Sequence, residues 1–153
     1  MASVAAKRRR GGVVGLLLIA ALAFSTISAE SASALGLRER RMVNKHNRAR
    51  DARDIRMLSI SDSLSRKAEQ HSMEMAGDRD LYHSSCLTCQ FDGYSWSIGG
   101  ENVGVGGSVW RLFDAFMASA PHRENILNKR YKRIGVGVVE SGGRLWVTVL
   151  FYG

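Results

Sequence analysis

From Leu37 to about Arg50, the apolar positions Met42, Val43, His46 and Ala49 recur at intervals of three and four, while arginines and a lysine fill the other faces. That periodicity predicts an amphipathic helix. A second helix is predicted to start at Ser61 or Asp62 as N-cap, with Leu64, Ala68, His71 and Met75 forming one stripe and Gly77 acting as the stop. A polar, irregular stretch from Asp78 to about Ser97 follows. It holds His83, Cys86, Cys89 and the aromatics Phe91, Tyr94 and Trp96, and a loop this long in a small domain is functional or stapled. Ser108 then opens a third helix whose Val109, Leu112, Phe113, Phe116 and Met117 give a clean buried face. Pro121 interrupts it and suits the first turn of a short helix running through His122 to Leu127. Two β-rich segments, Ile134 to Val139 and Leu145 to Tyr152, flank the turn residues Glu140-Ser141-Gly142-Gly143, which predicts a terminal hairpin. Helices followed by strands, without regular alternation, imply an α+β domain.

The pattern changes at the N-terminal end. An apolar run of twelve residues from Val13 to Phe24 follows Lys7, Arg8, Arg9 and Arg10 and precedes Ala32-Ser33-Ala34. The run is short for a bilayer span, and the small-residue triplet has the form of a cleavage site. Residues 1–34 are therefore expected to be a signal peptide and 35–153 a single domain; a retained membrane anchor is the alternative. A twin-arginine signal fits less well, because glycines follow the arginines. Removing 34 of the 153 residues leaves 119, one domain's worth. The removed part carries four basic residues and one acidic one, so net charge falls from +8 to +5. The expectation is a secreted or envelope-associated protein with no stable membrane span after cleavage. A moderate basic excess there points to anionic envelope polymers or lipid headgroups. Nucleic acid is disfavoured, since no platform of interleaved aromatics accompanies the charge.

In an oxidising compartment the pair in Cys86-Leu87-Thr88-Cys89 reads first as a disulfide that shapes a local turn. A zinc site with His83 would need four ligands, and free or redox-active thiols are the remaining option. Between Arg38 and Arg56 stand eight basic residues against Glu39, Asp51 and Asp54. These form either a solvated helix face or a contact to an anionic surface.

Five segments, taken in order, resemble the CAP superfamily of cysteine-rich secretory, antigen 5 and pathogenesis-related 1 proteins, in its bacterial secreted form. They are His46-Asn47-Arg48-Ala49-Arg50, Leu81-Tyr82-His83-Ser84, Gly100-Glu101-Asn102-Val103, His122-Arg123-Glu124-Asn125-Ile126-Leu127 and Ile134-Gly135-Val136-Gly137-Val138. The resemblance implies an α-β-α sandwich with a central antiparallel sheet flanked by helices, the middle region supplying one or two further strands. It also implies a cleft lined by two histidines and two glutamates, often holding a divalent cation. The matching positions are His83, Glu101 and His122. The second glutamate, expected a few residues after the aromatic Phe116, falls at Ser119.

Two imidazoles and a carboxylate are a sensible ligand set for Zn or Mg, with a position left for water. Hydrolysis would also need an acid or base in reach of that water, which Ser119 cannot supply. No G-x-S-x-G or H-E-x-x-H occurs, and no catalytic residue is assigned. The same three side chains can instead hydrogen-bond one another and the loop backbone. His46 and His71 lie on apolar stripes and read as packed core histidines, and Asn125 as a turn brace. The reading that follows is a secreted binding module for a lipid, sterol or envelope component in the cleft. A metal-dependent hydrolase using the same cleft is the alternative.

Overall fold

The computed structural model describes residues 35–153; the signal peptide expected at 1–34 lies outside the described residues. Four helices form where the periodicity places them: α1 (Leu37–Asp51), α2 (Asp62–Asp78), α3 (Val109–Ala118) and α4 (Ala120–Leu127). The Ser61 and Ser108 hydroxyls cap α2 and α3, accepting from the backbone N–H of Leu64 and Arg111, and Pro121 sits in the first turn of α4. One boundary differs from expectation. α2 runs through Gly77, and the left-handed residue that ends it is Arg79, at φ 56°, whose N–H bonds to Met75 O.

The strands are β1 (Ser59–Ile60), β2 (Gly99–Gly106), β3 (Arg133–Ser141) and β4 (Arg144–Tyr152), in the sheet order β1-β3-β4-β2. β3 and β4 are the expected hairpin. Gly142 and Gly143 adopt φ of 60° and 70°, the left-handed pair that a tight two-residue turn requires. β2, just past the irregular region, adds the further strand and pairs antiparallel with β4. β1 runs parallel to β3, so the sheet is mixed, not wholly antiparallel. Asn47 of α1 is the reason. Its amide donates to Leu58 O at 3.0 Å and accepts from Leu58 N at 2.8 Å, holding the chain where Ser59 and Ser61 can donate to Lys132 O and Ile134 O.

β4 is buried on both faces, and its alternation separates two cores. Val147, Val149 and Phe151 join Ile134, Val136 and Val138 of β3 under Met42, Val43, Leu112, Phe113, Phe116 and Ile126 of α1, α3 and α4. Leu150 packs with Leu64, Ala68 and Phe91, and Trp146 with Met75, Ala76 and Val103, under α2. The result is helix layers on either side of one sheet. β3 turns Gly135 and Gly137 toward α2; a Cβ at either would run into the helix backbone at Leu64–Ser65 or Ala68–Glu69. A buried bond from Ser72 Oγ to Thr148 Oγ1 (2.9 Å) ties the same helix to β4.

His46 and His71 are both buried, as expected of core histidines. Arg50 is a correction to the solvated basic face. Arg40, Arg41 and Arg48 are exposed, but Arg50 is wholly buried. Its guanidinium donates to the carbonyls of Arg56 (2.8 Å), Ile126 (2.8 Å), Asn128 (2.9 Å) and Tyr131 (3.3 Å). It binds the end of α1 to the α4–β3 connection without any carboxylate, because a guanidinium fork can satisfy several carbonyls at once.

Candidate cleft at the edge strand

β2 is an edge strand, and Glu101 is its third residue. Tyr131 and Asn125 occupy the space a side chain at Gly100 would need, so the glycine admits these groups against the strand beside Glu101. The Glu101 side chain is only 3% exposed, and a carboxylate taken out of water must find donors. It finds three. His83 Nδ1 lies 2.7 Å from Oε1 and Ser84 N donates to the same oxygen at 3.0 Å. The Ser84 hydroxyl donates to Oε2, and Gln90 Nε2 in turn donates to Ser84 Oγ at 3.3 Å.

The loop that delivers His83 and Ser84 is stapled. Cys86 and Cys89 form a disulfide at the root of a 3-10 turn spanning Thr88–Phe91. This excludes the zinc and free-thiol readings of the pair. Lys67 of α2 donates to the carbonyls of Cys89, Gln90 and Asp92, and Phe91 is anchored in the α2-side core.

α4 contributes the opposite wall. Asn102 Nδ2 donates to His122 O at 3.0 Å, and Asn125 Nδ2 donates to Glu101 O at 3.1 Å and Asn102 Oδ1 at 2.9 Å. Tyr131 OH donates to Asn125 Oδ1 at 3.2 Å. Asn125 therefore braces α4 against β2. The His122 ring lies 5.1 Å from that of Phe116. Burial, and then the nearby charge of His83, pushes the His122 imidazole below its ordinary value, so it is neutral near pH 7.

His83 and Glu101 are thus in direct contact, and the His122 backbone is bonded to the next residue of the same strand, Asn102. Ser119 sits at the α3–α4 junction, where its N–H bonds to Ala115 O and its carbonyl accepts from Arg123 N. Ser84, Gln90, Asn102 and Tyr131 were not singled out from the sequence. For Ser84 and Asn102 the available signal was adjacency to His83 and Glu101 in the quoted segments; Gln90 and Tyr131 carried none.

In this arrangement both Glu101 oxygens are directed at protein donors, one at His83 and Ser84 N and the other at the Ser84 hydroxyl. Among the described residues, no group of three or more His, Cys, Asp or Glu side chains is placed to hold an ion. The arrangement is a closed polar network with two imidazole faces, the His83 side chain being 62% exposed.

Comparison with known proteins gives the following. A family model described as the cysteine-rich secretory protein family, CAP, matches residues 43–151. An uncharacterized protein, YkwD of Bacillus subtilis, is 34% identical over 121 residues, which is 74% of this chain and 47% of that protein. The chain thus spans about half the length of this relative. An outer surface protein from Borrelia burgdorferi superposes with a TM-score of 0.68 at 19% identity, covering 74% of this chain and 90% of that one. An extracellular protein containing an SCP domain from Bacillus anthracis gives 0.68 at 20% identity, covering 75% and 40%. At such identities the structural likeness concerns the fold alone.

Proposed function

The chain belongs to the cysteine-rich secretory protein (CAP) family, and from that premise we propose that it is a secreted binding module. Its ligand is a lipid, sterol or cell-envelope component, held at the His83–Glu101–His122 cleft and not chemically altered there. The observation that carries this reading is the state of Glu101. Its carboxylate accepts from three donors of His83 and Ser84, and the position where the family resemblance expects a second glutamate is Ser119. The second carboxylate of the family's cleft is thus missing, and the one present is held by protein donors. What the cleft offers a ligand is a neutral His122 imidazole and the exposed His83 ring. Exported location is part of the proposal and rests on residues 1–34 and the family; no helix among the described residues is long and apolar enough to cross a membrane. The exposed arginines of α1 would add an electrostatic contact to an anionic surface.

The test is co-sedimentation of the mature domain with purified cell walls and with neutral, sterol-containing and anionic vesicles, for wild type and His122→Ala. Retention on one of these that His122→Ala weakens is expected; no retention on any overturns the proposal. A metal-dependent hydrolase would bind its ion through the exposed His83 ring and His122, with Glu101 orienting His83 or joining as a ligand. Zinc titration followed by calorimetry separates the readings, since stoichiometric binding lost in Glu101→Gln would favour the hydrolase.

A further inference from the structure

A second concavity lies away from the cleft, where the end of α2 meets the β3–β4 turn. It has a volume of about 330 Å³ and is lined by Ala76, Arg79, Ser141, Gly142, Arg144 and Trp146. None of His83, Glu101 or His122 takes part. The volume is at the lower end of what small-molecule sites use.

Its chemistry is one-sided. Neither Arg79 nor Arg144 has a carboxylate within ion-pair distance among the described residues. The acids nearest in sequence are engaged elsewhere. Asp78 accepts from Tyr82 OH, Asp80 from Leu81 N, and Glu140 pairs with Arg38 at 2.6 Å. Two exposed guanidinium groups at one hollow, neither ion-paired, raise the positive potential there and favour an anion. Arg144 lies over the Trp146 ring at 6.0 Å. The Trp146 indole N–H is buried and has no hydrogen-bond partner among the described residues, although buried indole donors ordinarily find one. Arg79 holds a left-handed backbone, φ 56°, which a non-glycine residue adopts at some cost. The hollow therefore offers guanidinium donors and a serine hydroxyl, with the buried, unpaired indole N–H of a wall residue as a reporter of its occupancy. Its apolar wall is the Trp146 ring and Ala76.

We propose that this hollow is a binding site for an oxyanion, a carboxylate or phosphate group, carried on a small organic body whose apolar part packs on Trp146. Arg79 and Arg144 clamp the anion in the forked geometry that guanidinium groups favour with such oxygens.

The test uses ¹⁵N-labelled mature domain titrated separately with inorganic phosphate and with acetate at fixed chloride concentration. The readout is the three indole N–H resonances, that of Trp146 assigned with Trp146→Phe. A saturable shift confined to the Trp146 resonance at millimolar probe is expected. Saturation by phosphate alone assigns a phosphoryl ligand, and saturation by acetate alone a carboxylate. Arg79→Ala with Arg144→Gln should weaken binding at least about tenfold, in line with the loss of charge-assisted hydrogen bonds; Arg111→Ala on α3 should leave it unchanged. Arg79→Ala alone, which leaves the hairpin intact, decides the matter should the double variant fail to fold. Drift of all three indoles without saturation, or equal affinity in the Arg79 variant, overturns the site.

Discussion

Acidification should destabilise this domain through one buried side chain, His46, and replacing it should remove that effect. The imidazole is fully buried, packed edge-on against Phe113 at 5.3 Å and tilted against Phe151 at 5.7 Å. Its Nδ1–H donates to Met42 O at 2.8 Å, which leaves Nε2 as a bare lone pair with no partner among the described residues. Burial above all pushes its pKa from 6.5 to about 4; the bond to Met42 opposes the shift and Arg50, one turn on, adds to it. The sign follows directly. Below about pH 6.5 the unfolded chain takes up a proton that the folded chain refuses until about pH 4, so stability falls across that window as pH decreases. Linkage gives a loss of about 2 kcal/mol at about pH 5 and about 3 kcal/mol at about pH 4, relative to neutrality. His46→Leu removes the titrating group while keeping an apolar filling between the two phenylalanine rings. Urea unfolding of both proteins between about pH 4 and pH 7.5 should show the variant gaining on wild type by this amount as pH drops. Carboxylates titrate alike in both and cancel in the difference. Parallel stability curves would refute the reasoning and mean that His46 takes up its proton as readily in the folded as in the unfolded state.

Three further outcomes are expected. Arg50→Met should cost about 3–5 kcal/mol in chemical denaturation, because it leaves buried carbonyls without their donor; a cost under about 1 kcal/mol would mean water replaces the guanidinium without loss. Phe113→Ala should cost about 3–5 kcal/mol, since the ring belongs to the core beneath α1 and α3, and thermal melts read it directly. Gly137→Ala should be destabilising by about 1–3 kcal/mol despite the higher strand propensity of alanine, because the added Cβ meets the α2 backbone at Ala68–Glu69; unchanged stability would show that α2 can shift outward freely.

The helices and the hairpin were legible because each buries a face whose periodicity is local: Val109, Leu112, Phe113 and Phe116 need only one another to announce α3. What the sequence concealed depends on partners distant along the chain. β1 is two residues long and exposed, and it exists because Asn47 grips Leu58 from a helix eleven residues away. Arg50 stands among surface arginines of the same type, and only the carbonyls of residues 126, 128 and 131 distinguish it. Gly135 and Gly137 stand in a β-rich segment without an evident local reason, and they record how closely α2 lies against β3. The cleft divides the same way. Glu101 was marked by its segment Gly100-Glu101-Asn102-Val103, yet its bonds to Ser84 appear only once the stapled loop is folded over it. The residues that end a helix, staple a loop or clamp a carbonyl decide whether a histidine–glutamate constellation is open or closed. In this chain they close it, and the buried side-chain donor left without a partner among the described residues is the Trp146 indole N–H on β4.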